Sequence, residues 1–443
     1  MSGLAGQLHN DPATALRTRD FVTSFLPDFT KNLRAVIGKD DIKILQKLGD
    51  NLRKSGTCYS ATTTVNQLFA IPNRIRLLID RCRQANESDD RQDYFVIDAL
   101  RNPFEVLYFK ERFAPFYLMA INSPDDDRRT RLSNKNYTKA QIDAFDKKEY
   151  PEINKPLSGY EAFVSQNIQS CIERADIHIN NRGTVAALEH TPDLKALAGY
   201  LVKYVSLIQH PGLVTPTRVE RCMQAAYVAK LNSGCISRQV GAVVTDENYS
   251  IKSVGWNDVP LGQVPCLLRK AETIILEHDD KEAFSDYERK TSKFVEHIRK
   301  TFAEINSPQL KGRNVSFCFK DAYNSIHKSD NQVHTRSLHA EENAFLQISK
   351  HGGLGLQGGA LFSTASPCEL CAKKAYQIGI KTIYYIDPYP GISVTHILAS
   401  GKHRPTMELF VGAIGEAYHR LYTPILPYKD ELTALLKKDD PPE

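Results

Sequence analysis

The chain has 443 residues, 42% hydrophobic and 25% charged, with 57 lysines and arginines against 52 aspartates and glutamates for a formal net charge of +5. This usage excludes a collagen-like, coiled-coil or wholly disordered protein, and the length predicts about two or three domains. A balance near neutrality does not argue nucleic-acid binding by itself, although it suits small anionic ligands. Residues 1–30 are polar and irregular, with no apolar run of the kind a signal peptide needs. From Asn32 to Lys54 apolar residues recur at helical spacing (Leu33, Val36, Ile37, Ile42, Leu45, Leu48, Leu52), and a second helix is predicted over Thr63 to Gln84. The run Tyr94 to Asp98 reads as a buried strand ending in a carboxylate. A helix over Pro103 to Arg112 and a strand over Phe116 to Ile121 then complete a βαβ unit, which requires a parallel sheet. Residues 123–160 are polar and carry the basic cluster Arg128-Arg129-Thr130-Arg131, so they are expected to form an exposed loop or lid. A helix from Glu161 to Arg174 and a strand over Ala175 to Asn181 extend the same sheet.

Helix-stopping residues between His210 and Pro216 predict a boundary. Beyond it come a helix over Arg218 to Leu231 and strands over Gln239 to Val244 and Ile251 to Trp256. A highly charged stretch spans 258–337. Then follow a helix over His339 to Ser349, a strand over Ala360 to Thr364, a helix over Cys368 to Ile378 and a strand over Thr382 to Ile386. The tail from Lys437 is charged, contains proline and is expected to be disordered. No stretch approaches the roughly 18 apolar residues of a membrane-spanning helix, so no membrane partner is expected. Lys429-Asp430-Glu431-Leu432 is not C-terminal and is therefore not an ER-retention address. Nine cysteines, an odd number, without a secretory signal predict reduced thiols and a cytoplasmic location.

Two short strings carry chemistry. His339-Ala340-Glu341 opens one predicted helix, and Pro367-Cys368-Glu369-Leu370-Cys371 opens another directly after a strand. Cysteines three apart on a first helical turn point the same way, and the helix N-terminus favours their thiolates. Pro367 suits a helix start because its missing N–H would have no partner there. One imidazole and two thiolates give zinc three of its four ligands, leaving a position for water that the metal makes nucleophilic near neutral pH. Glu341 is placed to carry that water's proton to a substrate nitrogen. Together the strings match the known signature of zinc deaminases.

Residues 218–428 resemble the cytidine and deoxycytidylate deaminase superfamily. The upstream run Ala229 to Val244, the loop Gly255-Trp256-Asn257-Asp258-Val259-Pro260 and the string His339 to Ala344 are similar to its deoxycytidylate branch. The resemblance implies an α-β-α domain, Zn2+ as cofactor, His339, Cys368 and Cys371 as its ligands, Glu341 as the catalytic residue, and substrate contacts from Asn257 and Arg238. The insertion 258–337 departs from the family pattern. It is expected to act as a lid, an oligomer contact or an effector site. Its Cys266, Cys318, His327 and His334 are too irregularly spaced to favour a second metal site.

Residues 31–205 resemble the latter part of a P-loop nucleotide kinase, an α/β domain with a parallel sheet, incomplete here because no Gly-x-x-x-x-Gly-Lys-Ser/Thr loop is present. The resemblance points to a nucleotide or regulatory site at Asp98, Arg101, Arg128 and Arg131, while a helix cap and a solvated face remain the plain alternatives. The expected organisation is an irregular segment 1–30, the kinase-like domain 31–205, the deaminase domain 218–428 and a charged tail 429–443. A kinase-like domain fused to such a deaminase resembles bacterial anti-phage deoxycytidine-nucleotide deaminases. That implies conversion of dCTP or dCMP to the deoxyuridine nucleotide, a nucleotide or RNA effector, and a homo-oligomer. An editing deaminase acting on nucleic acid and a non-catalytic nucleotide sensor are the alternative readings.

Overall fold

A computed structural model of the chain describes residues 17–38, 41–64, 67–85, 93–149, 160–181, 194–352, 355–387 and 393–436. The tail from Lys437 and residues 1–16 lie outside the described residues. The chain divides into two compact units, one of residues 1–175 and 181–193, the other of 176–180 and 194–443.

The first unit is mainly helical among its described residues. Residues 17–30 are helical rather than irregular. A π-helical turn over Phe21–Phe25 leads into helix α1 (Leu26–Ile37), and the rings of Phe21, Phe25 and Phe29 stack along it at 5.4 and 6.0 Å. The single span expected over Asn32 to Lys54 is two helices, α1 and α2 (Asp41–Ser55). Gly38 follows α1 at a φ of 62°, a conformation glycine adopts without a Cβ clash. Helix α3 covers Ala70–Ala85. Helix α4 (Pro103–Arg112) starts where the Asn102 side chain accepts the Phe104 N–H at 2.9 Å and Pro103 takes the first turn. A buried ion pair joins α2 to α4, with Arg53 Nε 2.8 Å from Glu105 Oε1.

Two expectations for this unit fail. Tyr94 to Asp98 is not a strand, and Val96 is 94% exposed. A short apolar run is equally compatible with extended coil, and periodicity cannot separate the two. The strand β1 (Met119–Asn122) is present, but the first strand of the expected βαβ pair is not. The lid expected over 123–160 is also absent from its described part. Helices α5 (Asp125–Asn134) and α6 (Lys139–Glu149) occupy it, and three aspartates in the first turn of α5 favour its positive end.

The second unit is a three-layer α-β-α sandwich. Its sheet has the strand order β4-β3-β5-β6-β7, formed by β3 (Gly241–Thr245), β4 (Ile251–Trp256), β5 (Ala360–Ala365), β6 (Thr382–Asp387) and β7 (Thr406–Leu409). β3 pairs antiparallel with β4 and β5, while β5, β6 and β7 run parallel. The strand β2 (Ile177–Asn180) pairs antiparallel with β8 (Gly412–Ala413). Alternation along the strands sorts the two cores. Ala242, Val244 and Leu361 face helices α11 (Ala340–His351) and α12 (Glu369–Gln377). Val243, Ala360 and Phe362 face helix α8 (Arg218–Ala229), which follows α7 (Leu194–Gln209).

Two glycines let helices lie directly on this sheet. A Cβ at Gly241 would stand 2.0 Å from the Ala226 carbonyl of α8, and one at Gly255 would stand 2.4 Å from the Ala340 carbonyl of α11. The insertion leaves and rejoins the domain at one neck, where the Leu338 N–H donates to the Asp258 carbonyl at 2.8 Å. It folds around its own core, with Phe294, Val295 and Ile298 of α9 (Ser292–Thr301) packed against Phe284, Phe317 and Ala322, the last from α10 (Phe319–His327). Beneath the Phe284 ring lies the fully buried Arg269, ion-paired with Glu288. An eighty-residue detour closed at its base leaves the two halves of the site together, and its charged sequence is reconciled with folding by this internal core.

Candidate active site

Two parallel features of the sandwich create the site. Strand β4, through the closed neck, leads to the start of α11. Strand β5 leads to the start of α12. His339 caps α11 and Cys368 caps α12, each in extended conformation with its carbonyl accepting the first helical N–H, from Asn343 and Ala372 respectively, both at 2.8 Å. Helix α11 is held in place by β4: Ser253 Oγ donates to the Ala344 carbonyl at 2.7 Å, and Asn343 Nδ2 donates to the Trp256 carbonyl at 2.9 Å.

At the meeting point, His339 Nδ1 lies 3.2 Å from Cys368 Sγ and 3.5 Å from Cys371 Sγ. The three donor atoms all lie within 4.8 Å of one another, and both cysteines are buried. No other group of three such side chains converges among the described residues. The Cys371 thiol holds the Cys368 thiol well below its ordinary range by hydrogen bonding, helped by His339, while the same bond and burial push Cys371 up. The Cys368 hydrogen bond raises the His339 imidazole. One thiolate is thus already favoured, and a cation would favour the second. One nitrogen and two sulfurs, buried and gathered at two positive helix ends, fit zinc in number and kind.

Glu341 sits in the first turn of α11, 4% exposed, and Ser363 Oγ on β5 donates to its Oε1 at 2.8 Å. Burial raises the Glu341 carboxyl above its usual range. Ser363 is a site residue that the sequence did not reveal. A serine in a buried strand reads as filler, and only the register of β5 against α11 gives it a partner.

The substrate-contact expectations look different in space. Asn257 is buried, its Oδ1 accepts the Val240 N–H and its Nδ2 donates to the Arg238 carbonyl, both at 2.6 Å. It pins the segment entering β3. Arg238 forms an ion pair with Asp387 at the buried end of β6. His327 and His334 of the insertion both lie against the Tyr323 ring, with centroids 4.2 Å away. In the first unit Arg128 is bound by Asp125 and Asp146, each at 2.7 Å, and the same carboxylates push its guanidinium up. Arg131 Nη2 donates to the Asn181 carbonyl at 2.8 Å, the Arg101 carbonyl accepts the Asn167 N–H at 2.9 Å, and Asp98 is exposed.

Comparison with known proteins falls on the same stretch. Residues 216–387 match the family model for the cytidine and deoxycytidylate deaminase zinc-binding region. The deoxycytidylate deaminase of phage T4 is 28% identical over 172 residues, covering 38% of this chain and 76% of that protein. The deoxycytidylate deaminase of phage T2 is 29% identical over 172 residues, covering 38% and 78%. The crystal structure of apo dCMP deaminase from cyanophage S-TIM5 aligns with 44% of this chain and 100% of its own, at 22% identity and a TM-score of 0.25. Residues 216–387 of the second unit thus carry the sequence pattern of the cytidine and deoxycytidylate deaminase zinc-binding region.

Proposed function

We propose that the second unit catalyses zinc-dependent hydrolytic deamination of a deoxycytidine nucleotide, dCMP or dCTP, to the deoxyuridine nucleotide and ammonia. The observation that carries this reading is the convergence of His339 Nδ1 and two thiols beside a buried glutamate that is itself held by Ser363. Bound by His339, Cys368 and Cys371, zinc supplies Lewis-acid activation of water at neutral pH. Glu341 removes a proton from the attacking water and returns protons to the ring nitrogen and the departing amino group at C4. Burial raises its carboxyl above the ordinary range, which favours its taking up the water's proton. Ser363 holds Oε1, which leaves Oε2 for the proton. Asn257 orients the nucleoside with the rest of its amide, and Arg238, held by Asp387, stands beside the phosphate. The deoxycytidylate deaminases of phages T4 and T2 support the nucleotide class. The fused architecture extends the reading to pyrimidine-pool depletion during phage infection.

Incubation of zinc-loaded protein with dCMP, dCTP, cytidine and single-stranded DNA, with products separated by phosphate number, tests the reaction and its substrate together. Deoxyuridine nucleotide from dCMP or dCTP is expected. A folded, zinc-loaded protein that converts none of them, or only the DNA, refutes this reading.

A further inference from the structure

A cavity of about 550 Å3 opens in the first unit between α3 and α4. Its size is within the range of small-molecule sites, about 300–1,000 Å3. The rings of Phe69, Tyr108 and Phe113 line it, together with Asn73, Arg76, Asp80 and Arg112. Tyr108 is buried, and its hydroxyl donates to Asn73 Oδ1 at 2.7 Å, which fixes the plane of its ring. The Arg112 guanidinium lies over that ring, 4.1 Å from the centroid. Phe69 flanks the same ring, with centroids 5.6 Å apart.

The charges around the cavity are unequally paired. Arg76 is bound to Asp80 at 3.1 Å. Arg112 has no carboxylate partner among the described residues and lies over the Tyr108 ring. The basic cluster on α5 is the reverse case, with Arg128 and Arg129 bound by Asp125, Asp143 and Asp146. A guanidinium stacked on one aromatic face keeps its N–H edge free for a bidentate anion, and its outer face accepts a planar ring. Phenylalanine rings beside it offer a second apolar face for the same ring.

We propose that this cavity is a nucleotide-binding site, with the phosphate on the edge of Arg112 and the base against Phe69 and Phe113. A nucleotide is the ligand class that combines a planar heterocycle with a phosphate, and the site requires no glycine-rich phosphate loop. It lies within one unit and is independent of the deaminase reading.

Hydrogen–deuterium exchange on the full chain tests it, with AMP, ATP, GTP, dCTP, adenosine and inorganic phosphate as separate probes. At least one nucleotide is expected to protect peptides from residues 67–85 and 103–116. The concentration for half-protection should rise at least tenfold in Arg112→Gln. Arg112→Lys keeps the charge but loses the planar fork, so it should also weaken protection, and it serves if the glutamine variant does not fold. No protection by any nucleotide at millimolar concentration overturns the proposal. So does protection unchanged by both variants, or equal protection by phosphate alone.

Discussion

The two units use similar raw materials to opposite effect. In the second unit, the starts of α11 and α12 bring the donor atoms of His339, Cys368 and Cys371 within 4.8 Å of one another. In the first unit, Arg128 and Arg129 stand among Asp125, Asp143 and Asp146 and are neutralised by them. A motif carries chemistry when the fold leaves its polar atoms wanting a partner. The same residue types surrounded by opposite charge are simply a solvated face. The contrast extends to the buried pairs. Arg53–Glu105 in the first unit and Arg269–Glu288 in the insertion pair opposite charges locally, whereas Glu341 is buried with one oxygen held by a serine.

The contrast breaks most visibly at Glu341. Glu341→Gln should lower turnover of a deoxycytidine nucleotide by about 10²–10⁴-fold while zinc remains at one per chain, measured by product formation and metal analysis. Equal loss of zinc and activity would make the glutamate structural. Next comes Glu220, the hub of the second unit's far face. Burial raises its carboxyl, but hydrogen bonds from the Tyr422 hydroxyl and the Thr217 N–H, with the Lys203 ammonium, outweigh burial and hold it below its ordinary value of 4.5. A depressed folded pKa gives stability that is complete above pH 4.5 and lost as the pH falls through the folded value. Glu220→Gln should therefore cost about 3 kcal/mol at neutral pH and flatten the acid limb of a denaturant-midpoint profile. An unchanged acid limb would remove Glu220 from the linkage.

Smaller effects sharpen the comparison. Ser363→Ala should reduce kcat by about tenfold to a hundredfold, the worth of a hydrogen bond to a charged group, with zinc content unchanged. Ser363→Thr should restore most of it, and an unaffected kcat would leave the serine without a role. Smallest of all, Arg128→Gln and Arg129→Gln together should lower the unfolding free energy from urea denaturation by no more than about 1 kcal/mol and leave deamination unchanged. A large loss in either would mean that the cluster does more than solvate α5.

Much of the second unit was legible because its signals are local. Ile251 to Trp256 alternates and is bounded by turns, and Pro367 announces the start of α12. Helix starts bearing His339 and Cys368 could be read from the same few residues. The expectations that failed depend on long-range partners. Tyr94 to Asp98 has strand composition but is not a strand, and 123–160 looks loop-like because helices whose polar residues pair along the surface have no apolar stripe to show. Nothing in the sequence showed that Asn257 also pins the Arg238 carbonyl and the Val240 N–H, a role visible only once β3 and β4 are paired. Ser363 and Glu220 were invisible for the same reason: each acts on residues remote in sequence.

X-ray absorption at the zinc edge on the purified chain addresses the metal centre without relying on turnover. One zinc with two sulfur ligands and two nitrogen or oxygen ligands is expected, falling to one sulfur or to no bound zinc in Cys371→Ser. Four sulfurs, or no zinc in folded wild-type protein, would contradict a centre built from His339, Cys368 and Cys371.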